Sequence, residues 1–496
     1  MLACYAATAA AAETWTRQVV DIAVAPGLRV TAINVPTATA SPAPRTLSEQ
    51  ASTPEPIPIA GFLPYLAVAL SNKAQPGEFQ YAHVLTTSVL GTPLHAPLDQ
   101  GYAIGILDTG GTVHLAGHCD RSALGLTAAW FTGNTVPLGG AGGQIDADVT
   151  QPLGLFAAGI QAIDPATAAL DTTRLTGHWN VSIAVPRESG CGDIIDIPTA
   201  VGTPLLAFRD IVIRNSRQRT VARGGKSYTG PSVEILPQDH PSVPEYAKVI
   251  ALDVRPGGQL APTTSAYYPS LEDLNDFRTP GIPTALAMME GITPTGGWFV
   301  ASIWLREGSR GPLNKYFMVD TGAQISLMSS FITSQLGLDP RFPHFTVEVI
   351  GVTGNVHVAP GFYLDTLEID AFGGPMTFHQ VPIIMEDVPS VEGGTLDGIV
   401  GTNVFFNRNL AFKPRLSGGS VLEVSDPIVY GDFDDDGDVD LADFDLFSRC
   451  FNGPNQPPTQ MSCQDPDSDR DGDVDLVDFR AFTDCFNGPN APPACR

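Results

Sequence analysis

Apolar positions in this chain fall in short runs, not in long helical stripes. The runs at 102–107 and 316–319 are continuous, as in strands buried on both faces, whereas Thr346-Val-Glu-Val-Ile alternates with period two. Glycine clusters at 139–143 and 351–354 lie between such segments and mark hairpin tips. Near the C-terminus the pattern changes. Residues 441–451 and 476–486 carry apolar side chains at helical spacing, and each run stops at Asn-Gly-Pro-Asn. The expectation is a mainly β protein with a small helical module at its end.

The β part repeats. Residues 105–111 read Gly-Ile-Leu-Asp-Thr-Gly-Gly and 317–323 read Phe-Met-Val-Asp-Thr-Gly-Ala, with the two aspartates 212 residues apart (320 − 108). Leu-Gly-Leu at 124–126 recurs at 336–338 with the same offset. Residues 136–143 then match 347–354, and 200–208 match 399–407. Order is preserved throughout, and a small insertion in the first copy, near 188–195, absorbs the drift. Colinear matches of this kind indicate a duplicated lobe.

Composition narrows the class. The chain has 496 residues, 43% hydrophobic, with 53 acidic and 27 basic side chains and a net charge of −26. That length suits two or three domains. The charge excludes a nucleic-acid partner, because no basic surplus exists to neutralise phosphates. With 50 glycines and 43 prolines, strands and turns are favoured. The most apolar internal stretch, 57–70, is broken by Pro58 and Pro64, so no transmembrane segment is expected. Residues 1–12 are small and apolar, like the end of a secretory signal. With Cys4 removed, Cys119, Cys191, Cys450, Cys463, Cys485 and Cys495 remain, an even number that fits disulfides and a secreted or cell-surface protein. Cys119 and Cys191 are either a pair or two core thiols.

An aspartate at the end of a buried strand, followed by a hydroxyl and a glycine, allows specific chemistry. Glycine lets another backbone come close, and the threonine can bond across to its repeat mate. Two such loops face to face bring the carboxyls of Asp108 and Asp320 together, where both cannot ionise and one proton is shared. One carboxylate is then a general base toward water, and its protonated partner polarises a carbonyl. A single Asp-Thr-Gly is more often an ordinary turn; the duplicated, colinear set is not.

These two halves resemble the lobes of an aspartic peptidase over about residues 95–415. The Asp-Thr-Gly-Ala signature and the glycine-rich flap are similar to retroviral-type peptidases, and the single-chain duplication to pepsin-like enzymes. The resemblance implies bilobal pepsin/retropepsin-like β-barrel lobes. It further implies catalytic Asp108 and Asp320 with Gly110 and Gly322, interlocking hydroxyls on Thr109 and Thr321, and flap tips shaped by Gly140, Gly143, Gly351 and Gly354. No metal is needed for that chemistry. The first copy departs in three places: Gly111 stands where the second copy has Ala323, His114 where it has Ser326, and no flap tyrosine lies between Val136 and Ile145. His114 and His118 read as packing or surface residues.

From 431 to 496 there are sixteen acidic and four basic residues. Asp432, Asp434, Asp436, Asp438, Asp440 and Asp443 fall on the spacing of a twelve-residue calcium loop with Gly437 at its turn. Asp467, Asp469, Asp471, Asp473, Asp475 and Asp478 repeat it 35 residues later (467 − 432), around Gly472. A disordered acidic tail lacks such fixed spacing. The paired units resemble a type I dockerin, an EF-hand-like calcium module, which implies bound Ca²⁺ and a cohesin-like partner. Cys450 with Cys463, and Cys485 with Cys495, would staple the units.

The expected domains are a signal remnant (1–12), an N-terminal segment or propeptide (13–94), a first lobe (95–215), a connector that begins the second lobe (216–294), the second lobe (295–425) and the calcium module (431–496). The expected function is a secreted aspartic endopeptidase acting on protein or peptide and attached to a partner through the module. The alternatives are an inactive bilobal binding or structural protein, and an enzyme limited to processing its own N-terminal segment.

Overall fold

The computed structural model describes residues 56–71, 102–117, 120–124, 126–151, 153–187, 199–256, 297–350, 356–390, 394–415, 419–456, 461–469 and 471–495, together with the backbone of short strands at 15–16, 21–25, 28–31, 35–36, 83–87, 93–97 and 266–268. Residues 1–12, Cys119, Cys191, His118, Gly351, Gly354 and the expected insertion at 188–195 lie outside the described residues. The chain is mainly β.

The first lobe is built on one mixed sheet. Tyr65–Ser71 lies near its middle, antiparallel to Ala103–Leu107 on one side and to Leu153–Gly159 on the other. Ala103–Leu107 and Leu153–Gly159 are buried at every position, as their unbroken apolar sequence requires. Beyond Ala103–Leu107, Thr199–Val201 adds in parallel, with Ala200 opposite Ile106 and Val201 opposite Leu107. The sheet of this lobe therefore begins well before residue 95: Tyr65–Ser71, placed by the sequence reading in an N-terminal segment, is one of its central strands.

The second lobe repeats the plan. Gly297–Glu307 pairs with Arg310–Val319, and Gly398–Val400 joins in parallel with Met318 opposite Ile399 and Val319 opposite Val400. The alternating segment forms Phe345–Ile350, whose residues are buried at every second position. Between the lobes runs a third layer in which Lys226–Pro237, Arg209–Arg223, Leu410–Lys413, Ser420–Val424 and Lys248–Pro256 pair antiparallel. Lys248–Pro256 also pairs with Gly297–Glu307, so this layer continues directly into the second lobe. The expected connector thus supplies strands of a shared floor.

One crossing fixes the lobes to each other. Before entering the first-lobe sheet, residues 56–64 run along the second lobe, where the Gly61 amide donates to Gln324 O at 2.8 Å and Gln324 Nε2 donates back to Gly61 O at 3.2 Å. A Cβ on Gly61 would lie 2.3 Å from the Thr402 carbonyl carbon. Gly61→Ala is expected to lower the stability of the chain by about 1–3 kcal/mol, the usual cost of overpacking against backbone, read as a reduced midpoint in denaturant unfolding.

Residues 431–495 form a separate small core of Val439, Phe447, Cys450, Cys463, Val474, Phe482 and Cys485. Its helices are Leu441–Cys450 and Leu476–Cys485, and disulfides join Cys450 to Cys463 and Cys485 to Cys495. No helix among the described residues is long and apolar enough to cross a membrane.

Candidate active site

Asp108 and Asp320 stand at matching points of the two lobes. Asp108 follows a fully buried strand and Asp320 one buried only over 317–319, with Tyr316 exposed against expectation. Each amide donates to the parallel strand behind it, Asp108 to Val201 O and Asp320 to Val400 O, both at 3.0 Å. Thr109 N donates to Thr321 Oγ1 at 3.1 Å, and Thr321 N to Thr109 Oγ1 at 3.0 Å. The same hydroxyls donate across the interface, Thr109 Oγ1 to Val319 O and Thr321 Oγ1 to Leu107 O, each at 2.7 Å. Both threonines are buried. Four reciprocal bonds thus lock the loops together.

The lock brings the carboxyls of Asp108 and Asp320 into hydrogen-bonding contact. It also explains the glycines. A Cβ on Gly110 would lie 2.6 Å from the Asp320 carboxyl carbon, and one on Gly322 would lie 2.8 Å from Asp108 Oδ1. Any side chain at either position would force the carboxyls apart.

The pair is not symmetric. Asp108 Oδ1 accepts from the Gly110 amide at 2.9 Å and the Gly111 amide at 2.8 Å, whereas Asp320 Oδ1 accepts from Gly322 at 2.8 Å. Burial raises both carboxyls above the ordinary carboxylate range. For Asp108 the bond from Asp320 and then the Gly111 and Gly110 amides pull back down; for Asp320 the neighbouring charge of Asp108 pushes further up, against the Gly322 and Gly110 amides. With both carboxyls raised by burial and Asp320 raised further by the charge of Asp108, the pair holds one proton between them. Gly111, the first copy's departure, is part of this arrangement: a Cβ there would lie 2.8 Å from Asp108 Oδ2.

His114 accounts for another departure. Ser326 Oγ accepts from the Gly401 amide at 3.0 Å; at the matching point His114 Nδ1 accepts from the Gly202 amide at 3.1 Å. Its Nε2 faces His178 Nδ1 at 3.0 Å. Since His114 Nδ1 accepts, the neutral ring carries its proton on Nε2 and donates it to His178. Both rings are buried. The first lobe thus keeps the support under its Asp-Thr-Gly loop with a different side chain.

Phe131–Gly140 and Gly143–Thr150 form a hairpin at the position expected for the flap of the first lobe, with Gly140 opposite Gly143 at its tip. Gly142 and Gly143 have φ of +77° and +115°, which the tight turn requires. The Gly142 amide reaches the second lobe and donates to Glu386 Oε1 at 3.2 Å, a contact no motif announced.

In the C-terminal module, Asp432, Asp434 and Asp443 form one oxygen cluster and Asp438, Asp440 and Asp443 another. Asp467, Asp469 and Asp471, and Asp473, Asp475 and Asp478, form the corresponding two. Several expected ligands already have structural work. Asp440 and Asp475 cap their helices, completed by Asp443 and Asp478 as reciprocal partners. Asp438 Oδ2 accepts the Asn490 amide of the other unit, and Asp473 Oδ2 accepts that of Asn455. The remaining Oδ1 atoms of Asp438 and Asp473 are buried without a hydrogen-bond partner. Burial, and then the neighbouring carboxylates, push Asp432 up to about 7 and Asp434 up to about 6. Crowded hard oxygens with unmet acceptors fit a calcium ion.

Comparison with known proteins finds a family match over part of the chain. Residues 311–404, the stretch from the strand before Asp320 to the turn behind it, match the aspartyl protease family. No curated protein matches the sequence. Among solved structures, the chain is similar to a retropepsin-like aspartic protease from Rickettsia conorii, with 17% identity and a TM-score of 0.17, covering 26% of this chain and 82% of that one. It is also similar to the aspartic proteinase from Irpex lacteus, with 11% identity and a TM-score of 0.35, covering 74% of this chain and 97% of that one.

Two outcomes follow from the site's packing. Thr109→Val strands a buried N–H and carbonyl and should cost about 1–3 kcal/mol, whereas Thr109→Ser should retain most of that stability in the same unfolding assay. Burial holds His114 near 3, far below its ordinary 6.5, and burial followed by the His114 charge holds His178 well below it. The unfolded chain then binds protons that the native chain refuses, so stability should fall as pH drops below 6.5 toward 3, by up to roughly 1.4 kcal/mol per pH unit per histidine. His114→Ser, the residue of the second copy, should flatten that slope in pH-dependent unfolding.

Proposed function

We propose that the protein is an aspartic-type endopeptidase whose C-terminal module binds calcium and attaches it to a protein partner outside the cell. The observation that carries the enzymatic reading is the reciprocal threonine lock, which holds Asp108 and Asp320 in contact across two lobes of the same design. A water lying between the carboxyls gives a proton to ionised Asp108 as its oxygen attacks the peptide carbonyl. Asp320 meanwhile donates its proton to the carbonyl oxygen, giving a neutral tetrahedral diol. Asp108 then passes its proton to the amide nitrogen. Asp320 recovers one from a diol hydroxyl as the C–N bond breaks. The preserved support at His114 counts against the inactive binding protein, which would tolerate a decayed first lobe.

Asp108→Asn and Asp320→Asn should each reduce cleavage of a denatured protein by at least about a thousandfold; retained cleavage in both variants would defeat the proposal. Since both carboxyls are raised and coupled, kcat/KM should follow a bell, with its alkaline limb marking loss of the Asp320 proton and lying above the ordinary carboxylate range.

For the module, the donor set proposed for calcium is Asp432, Asp434, Asp436, Asp440 and Asp443 in the first loop and Asp467, Asp469, Asp471, Asp475 and Asp478 in the second. Asp438 and Asp473 contribute an oxygen at the rim. Leu441, Leu476 and Val477 are exposed on the helices and would face a cohesin-like partner. Calcium titrated into the full chain should bind at two sites, and Asp432→Ala with Asp467→Ala should abolish both; chelation should leave the hydrolytic chemistry itself without a missing component.

A further inference from the structure

Strand Arg209–Arg223 carries a dense basic run in an otherwise acidic chain: Arg209, Arg214, Arg217, Arg219 and Arg223. Against its partner Lys226–Pro237, Arg214 stands opposite Ser232 and Gln218 opposite Pro231, so residues 215–217 bulge out of the ladder. The bulge is aimed at the first loop of the C-terminal module. Asp435 accepts from Arg214 Nη1 at 2.8 Å, Arg217 Nη2 at 2.9 Å, Ser216 Oγ at 2.9 Å and Asn409 Nδ2 at 3.0 Å. Further along, the Arg219 guanidinium forks onto the carboxylate of Asp465, with Nη2 to Oδ2 at 2.9 Å. These side chains are nearly closed to solvent: 12% and 11% exposed for Arg214 and Asp435, and 7% and 12% for Arg219 and Asp465. Backbone contacts join them, from Arg217 to Phe433 O at 3.2 Å and from Thr220 N to Gln464 Oε1 at 3.1 Å.

Asp435 and Asp465 belong to none of the candidate metal clusters, and the internal repeat shows that they are not general features of a calcium unit. Thirty-five residues after Asp435 the second unit has Arg470, and thirty-five before Asp465 the first has Tyr430. A module turned end for end would present Arg470 to Arg214 and Arg217, so like charges oppose that seating.

We propose that the module is seated on the lobes in one orientation, as a fixed part of the enzyme body and not as a tethered appendage, through Asp435 and Asp465 on the Arg214–Arg219 segment. Asp435 sits between Asp434 and Asp436, so an ion bound in the first loop, on the calcium reading above, also steadies this anchor. The anchor continues inward. Ser216 N donates to Asn409 Oδ1 at 3.0 Å, and Asn215 Nδ2 donates to Phe405 O at 3.0 Å, at the end of the turn that follows the strand behind Asp320.

Scanning calorimetry of the full chain tests the seating. The wild type should unfold with module and lobes coupled in one transition. Arg219→Asp, or Asp435→Arg, should release a separate module transition and lower that of the lobes by on the order of 5 °C. The exchange Arg219→Asp with Asp465→Arg should restore the coupled transition, which separates a lost ion pair from general misfolding. Independent transitions in the wild type, or an exchange that restores nothing, would overturn the proposal. Calcium titrated into the same protein separates the two readings. Bound calcium that leaves the lobe transition unmoved refutes the coupling. Failure to bind removes the metal reading, and the charge exchange still decides the seating.

Discussion

The threonine lock is the interaction on which the rest of the structure depends. Two carboxyls in contact repel when both are ionised and lose hydration when buried, so the hydrogen bond between Asp108 and Asp320 does not by itself hold the loops in place. The neighbouring residue does so. Because each threonine amide donates to the other's hydroxyl and each hydroxyl donates to the opposite lobe's strand carbonyl, Val319 O or Leu107 O, a shift of either loop breaks several buried bonds at once. Gly110 and Gly322 then need only stay out of the way.

Duplication supplies the symmetry of the lock, and divergence between the copies supplies what an acid–base pair requires. Gly111 gives Asp108 a second amide, while Ala323 stands at the matching point beside Asp320. That difference makes the two otherwise equivalent carboxyls unlike in their direct hydrogen bonds. Ser326 and His114 show the opposite case, in which different chemistry performs the same task of accepting an amide from the glycine behind the loop. The serine does so without a titrating group. The histidine brings one into a dry environment, so at this point the first lobe resists protons at acid pH, whereas Ser326 does not titrate.

Charge organises the molecule on a larger scale. The C-terminal module concentrates acid beyond what its internal bonds satisfy, and Arg209–Arg223 concentrates base. Ion pairs as buried as these contribute less to net stability than to specificity, because desolvation offsets much of their attraction. Their effect is to choose an orientation: of two acidic-loop units of the same design, the first presents Asp435 to the bulge.

The duplicated lobes, the Asp-Thr-Gly loops, the hairpin tip at Gly140 and Gly143 and the helices of the terminal module were all legible in the sequence, since each rests on local spacing or on repetition within the chain. Short apolar runs, glycines at tight turns and aspartates at loop intervals encode structure over a few residues, where sequence pattern and backbone geometry coincide. The part of Tyr65–Ser71 in the first lobe was not legible, because an apolar run does not state which strand it will pair with. Nor was the partnership of His114 with His178, the reach of Gly142 to Glu386, or the role of Asp435 as an anchor among five neighbouring aspartates. Those depend on contacts between residues distant in sequence, which only the folded chain brings within hydrogen-bonding range. The chain by itself determined which aspartates and threonines recur at matching points; the tertiary structure decided that the two carboxyls meet and which residues of the module face the Arg209–Arg223 strand, because both turn on neighbours brought close by folding.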